Sequence, residues 1–186
     1  MATLFHNTHF TFTFIFLLFT LSTISSIPEF SEERLGPITI TPTEKTTHLH
    51  FYLHDVQSGK NPTAIKVIGD GLGFGTTFIM DDALRQGPER DSKIIGRAQG
   101  MYSVAAQNDI AFLMMMTFVF VEGRYNGSTI SVMGRNHVID DVREMSIVGG
   151  SGVFRLAKGY ALAHTVWLDT STGDAIVEYN VFVQHH

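Results

Sequence analysis

Cysteine is absent from the sequence. Disulfides, thiolate metal sites and cysteine nucleophiles are thereby excluded, so stability has to come from packing and from association with other chains. Positive charge is scarce as well. Thirteen Lys and Arg stand against 18 Asp and Glu, giving a net charge of -5. No basic cluster exists that could neutralise a phosphate backbone, which excludes nucleic acid as a partner. Helical periodicity of useful length is missing too. What remains in the 186 residues, 44% of them hydrophobic, is enough for one domain with a sizeable core.

One apolar run stands apart, Phe10 to Leu21, followed by the small polar residues Ser22 to Ser26. It is too short for a membrane span, which takes about 20 apolar residues. The order of apolar core and small residues predicts a signal peptide over residues 1–26, although its start carries only the amino terminus, His6 and His9 as basic groups. Secretion is expected, with no membrane association once the peptide is removed. Residues 27–47 change to Pro, Glu, Ser and Thr and predict a flexible mature N-terminus, leaving 48–186 as the folded domain. Asn126-Gly127-Ser128 is an acceptor sequon in a turn, so Asn126 is the expected glycosylation site.

The folded part is a procession of about nine short extended segments separated by turn residues: Leu49 to Val56, Thr63 to Val67, Thr76 to Asp81, Ile94 to Ala106, Phe112 to Glu122, Ser128 to Arg135, Arg143 to Val148, Gly159 to Asp169 and Ala175 to Gln184. The fold class is therefore all-β. An eight-stranded antiparallel β-barrel is the economical architecture, because closure removes sheet edges; a two-sheet sandwich is the competitor. Phe112 to Val121 is apolar on both faces. One face would line the barrel and the other would pack on a second subunit, which predicts a homo-oligomer.

Several familiar chemistries find no support. Gly69-Asp70-Gly71-Leu72-Gly73-Phe74 lacks the following helix that a phosphate-cradling loop requires. His50 and His54 share a strand face but lie about 13 Å apart at the usual rise, too far for one ion, so no metal site is expected. No serine stands in a nucleophile elbow. The informative stretch is Leu49 to Asp55 (LHFYLHD). At a two-residue period Asp55 falls on the apolar face with Leu49, Phe51 and Leu53, where ionisation is costly and the carboxyl could serve as an acid. Its alternative is a turn cap. Asp81, Asp82, Arg97, Tyr102 and Arg143 complete the ionisable groups at strand ends. Asp81-Asp82 reads equally as a solvated loop and Arg97 as a donor to a neighbouring carbonyl. Pattern alone stops at a secreted β-barrel that binds something apolar.

Gly96-Arg97-Ala98-Gln99-Gly100-Met101-Tyr102, with Phe51-Tyr52-Leu53-His54-Asp55, Asn126-Gly127-Ser128 and Arg143 to Gly152 (REMSIVGGSG), resembles the plant dirigent proteins over about Leu49 to Val183. The resemblance implies an allene oxide cyclase-like barrel, assembly as a trimer with a dimer as the alternative, secretion to the apoplast and N-glycosylation. It implies phenolic small molecules as ligands, no cofactor of its own, and an external laccase or peroxidase wherever radicals are coupled. By the same resemblance Asp55 is the acid, with Arg143 and Tyr102 as its catalytic companions and Phe51, Leu53 and Asn136 as substrate-binding residues. Lignan-forming members carry a second aspartate where this chain has Asn136. That departure is similar to the branch containing pterocarpan synthases, whose dehydration of a 4-hydroxyisoflavan needs one acid.

Overall fold

The computed structural model describes residues 44–186; the expected signal peptide and most of the expected flexible segment lie outside them. Among the described residues nine strands follow in order: β1 Lys45–Asp55, β2 Ala64–Ile68, β3 Thr77–Arg85, β4 Ile94–Val104, β5 Ala111–Phe120, β6 Thr129–His137, β7 Val142–Ser151, β8 Lys158–Leu168 and β9 Ala175–His185. Each pairs antiparallel with its neighbour in the order β1-β9-β8-β7-β6-β5-β4-β3-β2. The sheet closes where β1 meets β3 through Tyr52–Arg85, Leu53–Leu84 and His54–Ala83. Eight strands thus form the barrel. The short β2 takes the other half of the same β3 edge, pairing Ala64 to Ile68 with Thr77 to Met80.

Alternation along the strands builds the core. Phe51 and Leu53 on β1, Phe118 on β5, Ile130 and Val132 on β6, and Val181 and Val183 on β9 all point inward and are buried. An aromatic cluster fills the middle, with Phe51 edge-on to Phe118 at 5.1 Å between ring centres and stacked on Tyr179 at 5.9 Å. Tyr125 and Phe154 meet at 5.0 Å nearer the end where β5 turns into β6. Asn126 is exposed at that end, after the 3-10 turn Gly123–Tyr125, away from the end where β1 finishes in Asp55.

Two boundaries differ from the sequence expectation. Residues Lys45 to Thr47, expected to be flexible, pair with His185, Gln184 and Val183 of β9, because the ladder satisfies backbone groups that the weakly apolar sequence does not advertise. Strand β3 continues past Asp81 to Arg85, so Asp82 is part of the barrel wall and not of a solvated loop.

Gly100 on β4 stands across from Met116 of β5. A Cβ there would overlap the Met115 carbonyl oxygen and the Met116 Cα, both backbone atoms that cannot swing aside. Gly100→Ala should therefore lower the unfolding free energy by about 1–3 kcal/mol, the usual range for overpacking. In the same urea titrations Gly73→Ala, whose Cβ would meet nothing nearer than the Asp70 carbonyl oxygen at 3.9 Å, should be close to neutral.

Candidate functional site

The polar groups inside the barrel gather at the end where β1, β4, β6 and β8 finish and β3, β5, β7 and β9 begin. Asp55 keeps the phase of Phe51 and Leu53 and so points inward. Its Oδ2 accepts a hydrogen bond from the Tyr102 hydroxyl at 3.1 Å, while its Oδ1 is buried without a partner. The turn-capping role open to Asp55 belongs instead to Asp174, which accepts the Gln57 and Ser58 amides at 2.8 and 2.9 Å and the Ser58 hydroxyl at 2.7 Å. Burial pushes the Asp55 carboxyl up to about 6, opposed by the Tyr102 hydrogen bond and reinforced by the Asp174 charge.

Asp82 is a second acid at the same place. It keeps the inward phase of Phe78, Met80 and Leu84 and is 0% exposed. Oδ1 accepts from the Thr63 hydroxyl at 2.6 Å, and Oδ2 is buried with no partner. Burial pushes this carboxyl up to about 8, with the Asp55 charge the next cause. The sequence names Asp82 among the ionisable groups at strand ends but does not assign it to the site, since the third extended segment stops there at Asp81. The signal was present, since Phe78-x-Met80-x-Asp82-x-Leu84 alternates without a break. Its neighbour Asp81 faces outward and is held by Arg97, whose Nε donates to Oδ1 at 2.9 Å and whose NH2 donates to the Asp81 carbonyl. Arg97 is thus the carbonyl donor that the sequence allowed.

Tyr102 is clamped by aromatic contacts, stacked on Phe78 at 4.8 Å and edge-on to Phe112 at 5.5 Å. Gln57 Nε2 donates to its hydroxyl at 3.2 Å. Burial, followed by the Asp55 charge, holds the Tyr102 phenol far above its ordinary value, so it remains a neutral donor.

Arg143 enters from β7 and is only 4% exposed. Its Nε donates to Asn136 Oδ1 at 3.0 Å and its NH2 to the Thr165 hydroxyl at 2.8 Å, while NH1 reaches the Asp140 and Asp141 carbonyls at 3.4 Å. None of these partners is a carboxylate. Burial pulls the guanidinium below its ordinary value, against the pull of Tyr179, Asp140 and Asp141, yet arginine keeps its charge in proteins. A buried cation solvated by neutral oxygens is suited to receive a developing phenolate oxygen. Tyr179, fully buried beneath it, has its phenol raised by burial and partly relieved by Arg143.

The predicted residues therefore divide. Asp55, Tyr102, Arg143 and Asn136 come together at one end, Asn136 as the group that orients Arg143. Leu53 lies one inward step below Asp55 and Phe51 a further step down in the aromatic cluster, where they form the floor. Asn126 is remote. Asp82, Thr63, Gln57, Thr165 and Tyr179 join the site only in three dimensions. A depression of about 570 Å³ lies elsewhere, on the outer face of β3 to β5, among Ile79, Met101 and Met115. Its one ionisable lining residue is Asp81, already engaged by Arg97, so the acid chemistry belongs to the interior.

A family model described as dirigent-like protein matches residues 46–184. Pterocarpan synthase 1 of Glycine max is 49% identical over 160 residues, 79% of this chain and 86% of that protein. Dirigent protein 21 of Arabidopsis thaliana is 44% identical, covering 88% of this chain and 90% of its own length. Among solved structures, the pterocarpan synthase dirigent protein GePTS1 superposes with a TM-score of 0.75 at 47% identity, over 80% of this chain and 89% of that one.

Both acids bind protons more tightly when folded than when unfolded, where a carboxyl titrates near about 3.9. Their stabilisation is complete below about pH 4 and is lost as pH rises through about 6 and about 8. Urea unfolding should accordingly show a lower free energy at pH 8 than at pH 5. Asp82→Asn, which keeps the shape without the ionisation, should remove much of that difference.

Proposed function

The chain belongs to the dirigent-like protein family, and from that premise we propose that it binds phenolic intermediates, phenoxy radicals or quinone methides, and imparts stereoselectivity on their coupling or cyclisation. The observation that carries this reading is a carboxyl held by a neutral tyrosine on one wall of an apolar interior, with an arginine free of any carboxylate on another. Such a site orients a flat aromatic molecule by its two ends. Orientation alone suffices for stereocontrol, since a difference of about 1.4 kcal/mol between two faces of attack gives tenfold selectivity. A radical pair would be supplied by an external laccase or peroxidase, and the acid would protonate the quinone methide that coupling leaves.

The 49% identity to a pterocarpan synthase and the acid-rich interior favour a second reading, dehydration of a 4-hydroxyisoflavan. Asp55 gives its proton to the 4-hydroxyl, the carbon–oxygen bond breaks and water leaves. A quinone methide forms as a phenol releases its proton to solvent, and Arg143 holds that phenolic oxygen. A second phenolic oxygen then adds to the ring carbon, its proton restores Asp55, and the first oxygen, now a phenolate beside Arg143, takes a proton back from solvent. No oxidant enters. Asn136 fits this route, because it orients Arg143 and leaves the acid role to the other wall.

In either case we propose secretion to the apoplast through residues 1–26, a glycan on Asn126, and a homo-oligomer, a trimer in preference to a dimer, packed through the outer apolar face of β3 to β5. The glycan would sit at the end opposite the acids and leave the site open.

Incubation of the secreted protein with a 4-hydroxyisoflavan, without oxidase, and chiral chromatography of the products separate the readings. Pterocarpan formed by the wild type and reduced at least a hundredfold by Asp55→Asn, within the usual range for loss of a general acid, would establish the dehydratase. Enantiomeric excess from coniferyl alcohol only when laccase is added would establish the stereodirecting role and exclude the other. Indifference of both products to Asp55→Asn would overturn the assignment of the acid.

A further inference from the structure

The register that closes the barrel pairs Leu53 with Leu84 and His54 with Ala83. Continued by one residue, that register would set Asp55 across from Asp82, and the Asp55 charge acts on the Asp82 carboxyl. Among the described residues two buried side-chain polar atoms lack a hydrogen-bond partner, and they are Asp55 Oδ1 and Asp82 Oδ2. Each carboxyl uses its other oxygen for a neutral donor, Tyr102 for Asp55 and Thr63 for Asp82. Two orphaned oxygens on facing carboxyls are both satisfied by one hydrogen placed between them.

We propose that Asp55 and Asp82 form a carboxyl dyad holding a proton between Asp55 Oδ1 and Asp82 Oδ2, with Asp82 the proton-holding and positioning partner of the acid. The proposal rests on the acid role given above to Asp55. Among the described residues no cation is bonded to either carboxyl, and the Arg97 charge, which favours ionisation of Asp82, is outweighed by burial and by the Asp55 charge. Arg97 of β4 faces outward and is bound to Asp81, and Arg143 of β7 is bound by Asn136 and Thr165. The other groups bearing on the pair are Tyr102 of β4, Tyr179 of β9, the neutral Gln57, the Asp174 carboxylate of the β8–β9 loop and the outward Asp81, whose charge opposes ionisation of Asp82. The phenols stay neutral, and the Asp174 charge opposes ionisation of Asp55. When Asp55 gives up its proton to substrate, the hydrogen on Asp82 Oδ2 bonds to the new carboxylate. When a substrate phenol releases a proton on ring closure, Asp55 takes it back, and the dyad returns to its starting state.

The dyad loses its protons in two steps that belong to the pair. The site therefore keeps a transferable proton after the first is gone. A purely structural Asp82, serving as the acceptor for Thr63, would be replaced without consequence by asparagine, which retains that oxygen. The dyad makes the opposite prediction. Product formation by wild type should persist to higher pH than in Asp82→Asn, whose lone acid has no second proton to draw on. The two proteins would be nearly equal at pH 5 and, above the variant's limb, differ about tenfold for each unit by which the two limbs are separated. Infrared difference titration of the folded wild type, with 13C-labelled aspartate, needs neither substrate nor variant. A protonated-carboxyl band persisting above pH 7, and lost at that pH in Asp82→Asn, would establish the dyad even if the isoflavanol reaction failed. A wild-type band that disappears below pH 6, or a variant whose pH limb coincides with that of wild type, would overturn it.

Discussion

Two carboxyls, neither bonded to a cation among the described residues, are enclosed in an apolar barrel, and the remaining polar architecture of the interior answers to that constraint. A carboxylate in such surroundings is too poorly solvated to ionise at its ordinary pH, so it keeps its proton or finds donors. Here both happen. Tyr102 and Thr63 supply one hydrogen bond to each acid, and burial raises the affinity of both for protons. The donors are held in turn, Tyr102 by Phe78, Phe112 and Gln57, and Thr63 by the Val56 amide at 3.2 Å. The protonated state is thus preorganised by ordinary core packing.

Topology then keeps the cation from cancelling the acids. In the ring of strands, β8 and β9 stand between β7, which carries Arg143, and β1, while β4, β5 and β6 stand between β7 and β3, so that Arg143 and the acids occupy different walls. Asn136 and Thr165 solvate the guanidinium with neutral oxygens, which leaves its charge uncompensated within the site. A direct ion pair would have satisfied both partners and left nothing for a ligand. A phenolic molecule placed between the walls meets a proton donor at one edge and a positive charge at the other.

The strands serve two purposes because their faces alternate. On β3, Asp82 faces in and joins the acids, while Asp81 faces out and is closed off by Arg97. On β9, Tyr179 and Val181 face in, whereas Glu178 takes His50 on the outer surface at 2.6 Å. Neighbouring residues of the same chemical type therefore have unrelated roles, decided by a single step of the pleat.

The all-β class, the turn positions and the inward phase of Asp55 were legible in the sequence, because alternation and turn residues are local properties of the chain. The motif ending in Tyr102 and the position of Arg143 were legible by family resemblance. Asp82 was readable in principle from the alternation of Phe78, Met80 and Leu84, but an extended segment gives no local sign of where pairing stops. The facing of Asp55 and Asp82 was decided only by barrel closure, which sets the β1–β3 register between residues 27 positions apart. Thr63 and Gln57 likewise became donors, and Thr165 an acceptor for Arg143, through contacts between segments apart in the chain. Local sequence fixes which face a side chain takes; which side chain it faces depends on the ladder, and the ladder exists only in the closed fold.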